Sequence, residues 1–326
     1  MLPEHGGNLS EATRRFGTPE AGWLDVSTGI NPVGYPAPAV PPEAWLHLPA
    51  GGDGLAEAAR AYYGTGELLA VPGSQAAIQL LPRLRRPCRV AVLWPTYAEH
   101  AFRWERAGHA VERVTADALD ATVDRVDVVV VANPNNPDGG RFAPERLRHW
   151  RRRLARRGGW LVVDEAFADV IPGLSLAPEA GEPGLVVLRS VGKFFGLAGA
   201  RVGFLAAQEA VRAAMAEELG PWAVSGPARS VVSAALTDGP WQEAARKRLD
   251  SDARVLQQLL QQVGLRPEGG TPLFQWVPTA DAEAVRDRLA QQGVWVRRFE
   301  APAGLRFGLP GTEVDWQRLK AAMAGS

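Results

Sequence analysis

The chain is 326 residues long, 46% hydrophobic and 22% charged, which is ordinary globular material with room for one large domain and a smaller one. Its 36 basic and 36 acidic side chains cancel to a formal net charge of zero, so no global field favours nucleic acid or an anionic membrane as a partner. Cys88 is the only cysteine, which excludes an intrachain disulfide, and no apolar run approaches the roughly 20 residues that span a bilayer.

The stretch Met1-Leu-Pro-Glu-His5-Gly-Gly-Asn8 has neither a basic n-region nor an apolar h-region, so no signal peptide and a cytoplasmic location are expected. The first fifty residues are rich in Gly and Pro with little periodicity, as in an arm that wraps another surface. His5-Gly-Gly-Asn8 and Ser27-Thr-Gly-Ile-Asn-Pro32 set polar residues among turns and suit loops that touch a ligand. A helix is predicted from Leu55 to Tyr63 with its stop at Gly64. Val71-Pro-Gly73-Ser74-Gln75 runs into the helical pattern Ala76 to Leu81, which places Gly73 and Ser74 at a helix start where free N–H groups favour an anion.

Strand and helix then alternate. Strand Arg89 to Trp94 leads through Pro95-Thr-Tyr97 to a helix ending near Arg106, and strand Val126 to Ala132 leads to Asn133-Pro-Asn-Asn136-Pro-Asp-Gly139, a loop with no helical option. A helix from Pro144 to Arg157 precedes strand Trp160 to Glu165, and its arginine run from Arg148 reads as a solvated helix face. After apolar Leu185 to Leu188 comes a glycine-rich turn, then Val202 to Leu205, a helix, and a loop from Gly220 to Pro227. A long helix from about Trp241 to Gln262 carries an apolar stripe through Leu249, Leu256 and Leu260. The remainder, strand Pro272 to Val277, helix Asp281 to Gln291, strand Val294 to Arg298, strand Leu305 to Leu309 and a final helix, reads as a small α/β unit.

Continuous apolar strands separated by helices predict an α/β fold with a mainly parallel sheet covered on both faces. In such sheets ligands lie beyond the carboxyl ends of the strands, where Gly73-Ser74, Tyr97, Asn136, Asp164 and Lys193 all fall. Lys193 is the pivotal residue. The chain has only three lysines, and Lys193 alone stands among small and aromatic residues in a turn, a poor place for a solvated charge. A desolvated lysine can act as an amine nucleophile towards an aldehyde, for which arginine is useless. Ser190 and Arg201 flank it with a hydroxyl and a planar cation suited to a phosphate, and together these suggest pyridoxal phosphate. Asp164 could pair with the ring nitrogen, Asn136 could donate to the ring oxygen, and Tyr97 could stack on the ring.

On Asn136-Pro137-x-Gly139, Asp164-Glu165-Ala166 and Ser190-x-x-Lys193-x-x-Gly196-Leu-x-Gly199-x-Arg201, the chain resembles the fold-type I pyridoxal-phosphate enzymes, the aspartate aminotransferase superfamily, over essentially its whole length. The resemblance implies an arm (1–45), a large cofactor-binding domain (46–240), a small C-terminal domain (241–326) and a homodimer. It implies Lys193 as the cofactor-bearing amine, with Gly73, Ser74, Gln75, Ser190 and Arg201 around the cofactor phosphate. Arg306 would hold the substrate α-carboxylate. Two positions depart from the pattern: Phe167 stands where a tyrosine is common, and Leu48-Pro49 stands where relatives have Tyr-Pro.

The arm, with Gly220-Pro-Trp222 to Pro227, resembles the threonine-phosphate decarboxylases of cobalamin biosynthesis. That implies a lyase acting on a phosphorylated amino acid, with His5, Gly7, Thr28, Asn31 and Arg297 at the substrate end and no metal. Only one of Arg297 and Arg298 can line the pocket, because neighbours in a strand face opposite ways. The alternatives are an aminotransferase of the histidinol-phosphate type and a non-catalytic module that kept the fold.

Overall fold

The computed structural model describes residues 6–49 and 51–324. The chain divides into two compact units: one contains 35–136 and 141–242, the other 1–34, 137–140 and 243–326. The arm therefore divides at 34/35 rather than at 45/46, and a short piece of the Asn-Pro loop belongs with the C-terminal unit.

The larger unit is built on a seven-stranded sheet, ordered Leu68–Val71, Gly203–Ala207, Leu185–Ser190, Trp160–Asp164, Val128–Ala132, Arg89–Leu93, Ala110–Val114. The central strands are buried along almost their whole length and built on valine and leucine runs, as a sheet covered on both faces requires. Strand Gly203–Ala207 runs antiparallel to both its neighbours, while the pairs among the other strands are parallel. That reversal has a consequence: its first residues stand at the edge where Leu185–Ser190 ends. Two strands of this sheet escape prediction, Leu68–Val71 and Ala110–Val114; the latter is an edge strand whose residues are mostly part-exposed and lack a continuous apolar run.

Three further expectations are corrected. The arm contains a helix, Leu9–Phe16, and Asn8 is its cap, its Oδ1 accepting from Glu11 N–H at 3.2 Å. Gly220 to Pro227 is not all loop, because a helix starts at Gly226 with Pro227 in its first turn, where a missing N–H costs nothing. A Cβ at Gly226 would lie 2.2 Å from Ala44 O, so that position admits only glycine. Val294 to Arg298 is not one strand. Val294–Trp295 pairs in parallel with Leu24–Asp25, and Arg297–Glu300 joins a second sheet, ordered Arg297–Glu300, Ala303–Gly308, Phe274–Pro278, Gly269–Thr271. The break lets Trp295 enter a cluster with Ala12 and Ala290, while Arg297 pairs with Arg306.

Beneath the sheet end of the larger unit lies a buried ion cluster. Arg189 donates to Glu165 and to Asp169, each at 2.5 Å, and all three are under 5% exposed. Burial pushes the Glu165 carboxyl up, against the pull of Arg189. Arg189→Met should therefore destabilise the protein by about 3–5 kcal/mol, because it strands two buried carboxylates. Denaturant unfolding measures this, and a loss below about 1 kcal/mol would show that the acids simply take up protons.

Candidate active site

In the larger unit the predicted residues converge at one sheet edge. Gly73, at φ 77°, turns the chain out of strand Leu68–Val71 into the short helix Ser74–Leu80. A Cβ there would lie 2.6 Å from Arg201 Nη2, and a Cβ on Gly203 would lie 2.5 Å from Ser74 N. The reversed strand thus brings Arg201, itself left-handed at φ 52°, against the Gly73-Ser74 turn. Ser190 ends the adjoining strand and is 8% exposed, its Oγ accepting from Gly192 N–H at 3.3 Å. Lys193 follows in the turn with Nζ 5.6 Å from the centre of the buried Phe167 ring.

Asp164 ends strand Trp160–Asp164 and is 5% exposed. Ala166 N–H donates to its Oδ1 at 3.0 Å, and its Oδ2 is 2.9 Å from His100 Nε2. His100 is 2% exposed and escapes the sequence reading. Its signal was present: His100, Ala101 and Trp104 form one buried stripe on helix Glu99–Arg106, and a histidine in such a stripe needs a partner. Tyr97 lies edge-on to His100, ring centres 6.0 Å apart. Its hydroxyl donates to Gln75 Oε1 at 3.0 Å, Gln75 Nε2 donates to buried Glu99 at 2.8 Å, and Arg103 donates to Glu99 at 2.7 Å. Burial, with Glu99 and Asp164 nearby, pushes the Tyr97 phenol up, so it stays protonated and serves as a held ring. Asn136 stands past the end of strand Val128–Ala132, and its neighbour Asn135 ties that loop down by accepting from Thr96 Oγ1 at 2.7 Å and donating to Pro95 O at 2.8 Å.

The smaller unit holds the second group of residues. Arg306 and Arg297 are direct partners in antiparallel strands, and Arg306 is 6% exposed. Each guanidinium carbon lies over the Phe299 ring, at 5.9 and 5.2 Å from its centre. Arg298, next along the strand, pairs with Glu300 at 2.6 Å, while Arg297 is the cross-strand neighbour of Arg306. Arg306 Nη2 donates to Ser27 O at 2.8 Å. Burial, then the charge of Arg297, pushes Arg306 down to about 9, with Asp25 acting in the opposite sense. Such a site calls for an anion.

The arm is fastened at this point. Gly7 N–H donates to Ser27 Oγ at 2.7 Å, and Ser27 Oγ donates to Asp25 at 2.6 Å. A Cβ on Gly6 would lie 2.5 Å from Ser27 O, and one on Gly7, at φ 81°, would lie 3.5 Å from Thr28 Cγ2. Gly6 therefore serves a close backbone contact, and Gly7 a left-handed backbone turn. Asn31 is buried at 2% exposure, and His5 lies outside the described residues. Among the described residues no group of three or more His, Cys, Asp or Glu could hold a metal ion, and no helix is long and apolar enough to cross a membrane.

A mixed α/β sheet carrying a lysine, a buried aspartate and an arginine-lined turn at one edge defines an enzyme site for a small anionic ligand. Residues 49–322 match the family described as aminotransferase class I and II, and the chain belongs to it. It is 51% identical to a threonine-phosphate decarboxylase of Pseudomonas aeruginosa over 99% of this chain and 97% of that one. It is 46% identical to a threonine-phosphate decarboxylase of a Sinorhizobium species over 98% and 97%. A solved histidinol-phosphate aminotransferase of Sinorhizobium meliloti, in complex with pyridoxal-5'-phosphate, superposes with a TM-score of 0.81 at 21% identity, covering 99% and 95% of the two chains.

The charge state of Arg306 makes the anion site pH-dependent. Burial and the neighbouring charge of Arg297 disfavour its charged form, pushing it down to about 9, so affinity for an anionic ligand is expected to hold below that pH and to fall above it. Dissociation constants measured from one unit below to one unit above that value check this; a constant affinity would show that the guanidinium stays charged throughout.

Proposed function

We propose that this protein is a pyridoxal-phosphate-dependent lyase that converts L-threonine O-3-phosphate to (R)-1-amino-2-propanol O-2-phosphate and carbon dioxide, a step of cobalamin biosynthesis. The observation that carries the reading is the pair of facing guanidiniums, Arg306 and Arg297, one for each anionic end of such a substrate. The 51% and 46% identities to threonine-phosphate decarboxylases over nearly the whole chain support it.

The residues present fit the cofactor. Gly73 and Gly203 leave no space for a side chain, so backbone N–H groups, Ser74, Ser190 and Arg201 form a tight phosphate cradle. Lys193 supplies the amine that would bind the aldehyde, and Asn136 and Gln75 complete the polar surround. When bound, pyridoxal phosphate supplies an electron sink for the pair released as a Cα bond breaks. Asp164 is the carboxyl group that would meet the ring nitrogen, and His100 with Ala166 N–H fixes its orientation. Tyr97, held through Gln75 and Glu99, presents a ring of fixed orientation. Phe167 puts an apolar ring face rather than a hydroxyl 5.6 Å from Lys193 Nζ.

Arg306 takes the substrate carboxylate and Arg297 the phosphate, with Gly7, Thr28 and Asn31 at that end. His5 is assigned there by resemblance alone. Once carbon dioxide leaves, Lys193 Nζ returns a proton to Cα. The protein is proposed to work in the cytoplasm as a homodimer, and the exposed side chains of Trp45, Leu46 and Leu48, 64–78% accessible, supply apolar surface for self-association.

The test is carbon dioxide release from threonine phosphate, run beside amino transfer from histidinol phosphate to 2-oxoglutarate; transfer without release would overturn the reading. Lys193→Ala is expected to abolish borohydride-fixable cofactor while the protein stays folded. Arg297→Ala should weaken threonine phosphate by about 2–5 kcal/mol and threonine far less. Equal losses on the two ligands would remove Arg297 from the phosphate end.

A further inference from the structure

Strand Leu68–Val71 stands at one end of the seven-stranded sheet, and among the described residues its one strand partner is Gly203–Ala207. Ala207 N–H donates to Glu67 O at 3.2 Å, and in an antiparallel ladder the bonded residues alternate. Leu69 and Val71 therefore turn their backbone groups towards the sheet, whereas the N–H and C=O of Leu68 and Ala70 point off its edge. Open edges are ordinarily guarded by charge, proline or a bulge. This strand, Leu-Leu-Ala-Val, has none of the three, and its first three residues are part-exposed.

A cavity of about 380 Å³ opens along that edge, within the size range of small-ligand sites. Its walls are mainly apolar and include Leu55 and Ala59 of helix Leu55–Tyr63, with Leu68 and Ala70 of the strand. Trp222 stands at its border, 57% exposed and held at φ 58°, a conformation that a bulky residue rarely adopts. Two guanidiniums border the same space. Arg229 is taken by Asp53 at 2.8 Å, whereas Arg60 is exposed and has no acidic partner among the described residues. A Cβ on Gly66 would lie 3.4 Å from Arg60 Nε, which sets this cation at the end where the strand begins.

We infer that this edge is a docking site for the C-terminal segment of a peptide chain that ends in an apolar residue. The segment adds to the sheet by exchanging hydrogen bonds with Leu68 and Ala70, its last side chain enters the cavity, and its terminal carboxylate meets Arg60. The place of the cation sets the direction: a carboxylate at the Gly66 end requires the peptide to run antiparallel to Leu68–Val71. Unpaired edge groups, an apolar cavity and a single cation ask for three properties, and the end of a peptide carries them together. The assignment is independent of the reaction, since it uses none of the residues around Lys193.

The experiment titrates the protein, loaded with pyridoxal phosphate, calorimetrically with the tetrapeptide acetyl-Val-Thr-Val-Leu, once as the free acid and once as the C-terminal amide. The acid should bind about tenfold tighter than the amide, the scale of one charge-assisted hydrogen bond. Arg60→Met should remove that difference by weakening the acid alone. N-methylation of the peptide, either at both valines or at threonine and leucine, probes the ladder, because alternate residues bond to opposite sides. One set should abolish binding and the other leave it largely intact. No binding of either peptide, equal affinity for acid and amide, or equal losses from the two methylated sets overturns the inference. Should Arg60→Met fail to fold by thermal melting, acid against amide on the wild type decides. Sedimentation velocity with and without peptide tests the rival occupant: a fall in mass on binding would show that a second copy of the chain covers this edge, and that too overturns the inference.

Discussion

Everything at the cofactor edge of the larger unit depends on one close approach, that of strand Gly203–Ala207 to the turn Gly73-Ser74. A Cβ on Gly203 would lie 2.5 Å from Ser74 N and 2.7 Å from Arg189 O, so three chain segments meet with backbone alone between them. Because this strand is antiparallel in a mainly parallel sheet, the residues before it return to the edge that the residues after the other strands leave. Arg201 thereby lies beside a glycine turn more than a hundred positions earlier, and the connection from Ser190 to Arg201 carries Lys193. An anion site of this kind is a property of backbone path before it is one of side chains.

Behind that edge, polar groups are held in pairs. Asp164 is met by His100 and by Ala166 N–H; Tyr97 is met by Gln75, and Gln75 by Glu99. The next residues along the same strands, Glu165 and Arg189, form a buried ion cluster with Asp169. Alternation along a strand explains the arrangement, since neighbours face opposite ways and one motif can serve ligand and core at once. The ladder sets Glu165 N–H on Leu188 O at 2.9 Å, which keeps the two strand ends in step.

The smaller unit solves a different problem. It buries a guanidinium beside a second one, an arrangement whose desolvation and repulsion must be offset. Ser27 O, Asp25 and the faces of Phe274 and Phe299 offset part of that penalty. The arm supplies the Ser27 and Asp25 contacts, which is why its glycines lie so close to Ser27.

By itself the sequence determined the α/β alternation, the strand-end placement of Asp164, Lys193 and their companions, and the motifs that carry the family. These follow from local patterns: apolar runs, turn residues and fixed spacings. It left open whatever depends on partners distant in the chain. His100 reads as one polar residue in a helix until Asp164 lies 2.9 Å away, and Asn8 reads as a ligand residue until the helix it caps is seen. That Arg297 and not Arg298 is the cross-strand neighbour of Arg306 needed strand register, and the split of Val294 to Arg298 between two sheets broke the very alternation from which a register would be read. Tertiary structure alone decided these points, because hydrogen bonds and charges act over a few ångströms in space whatever their separation along the chain.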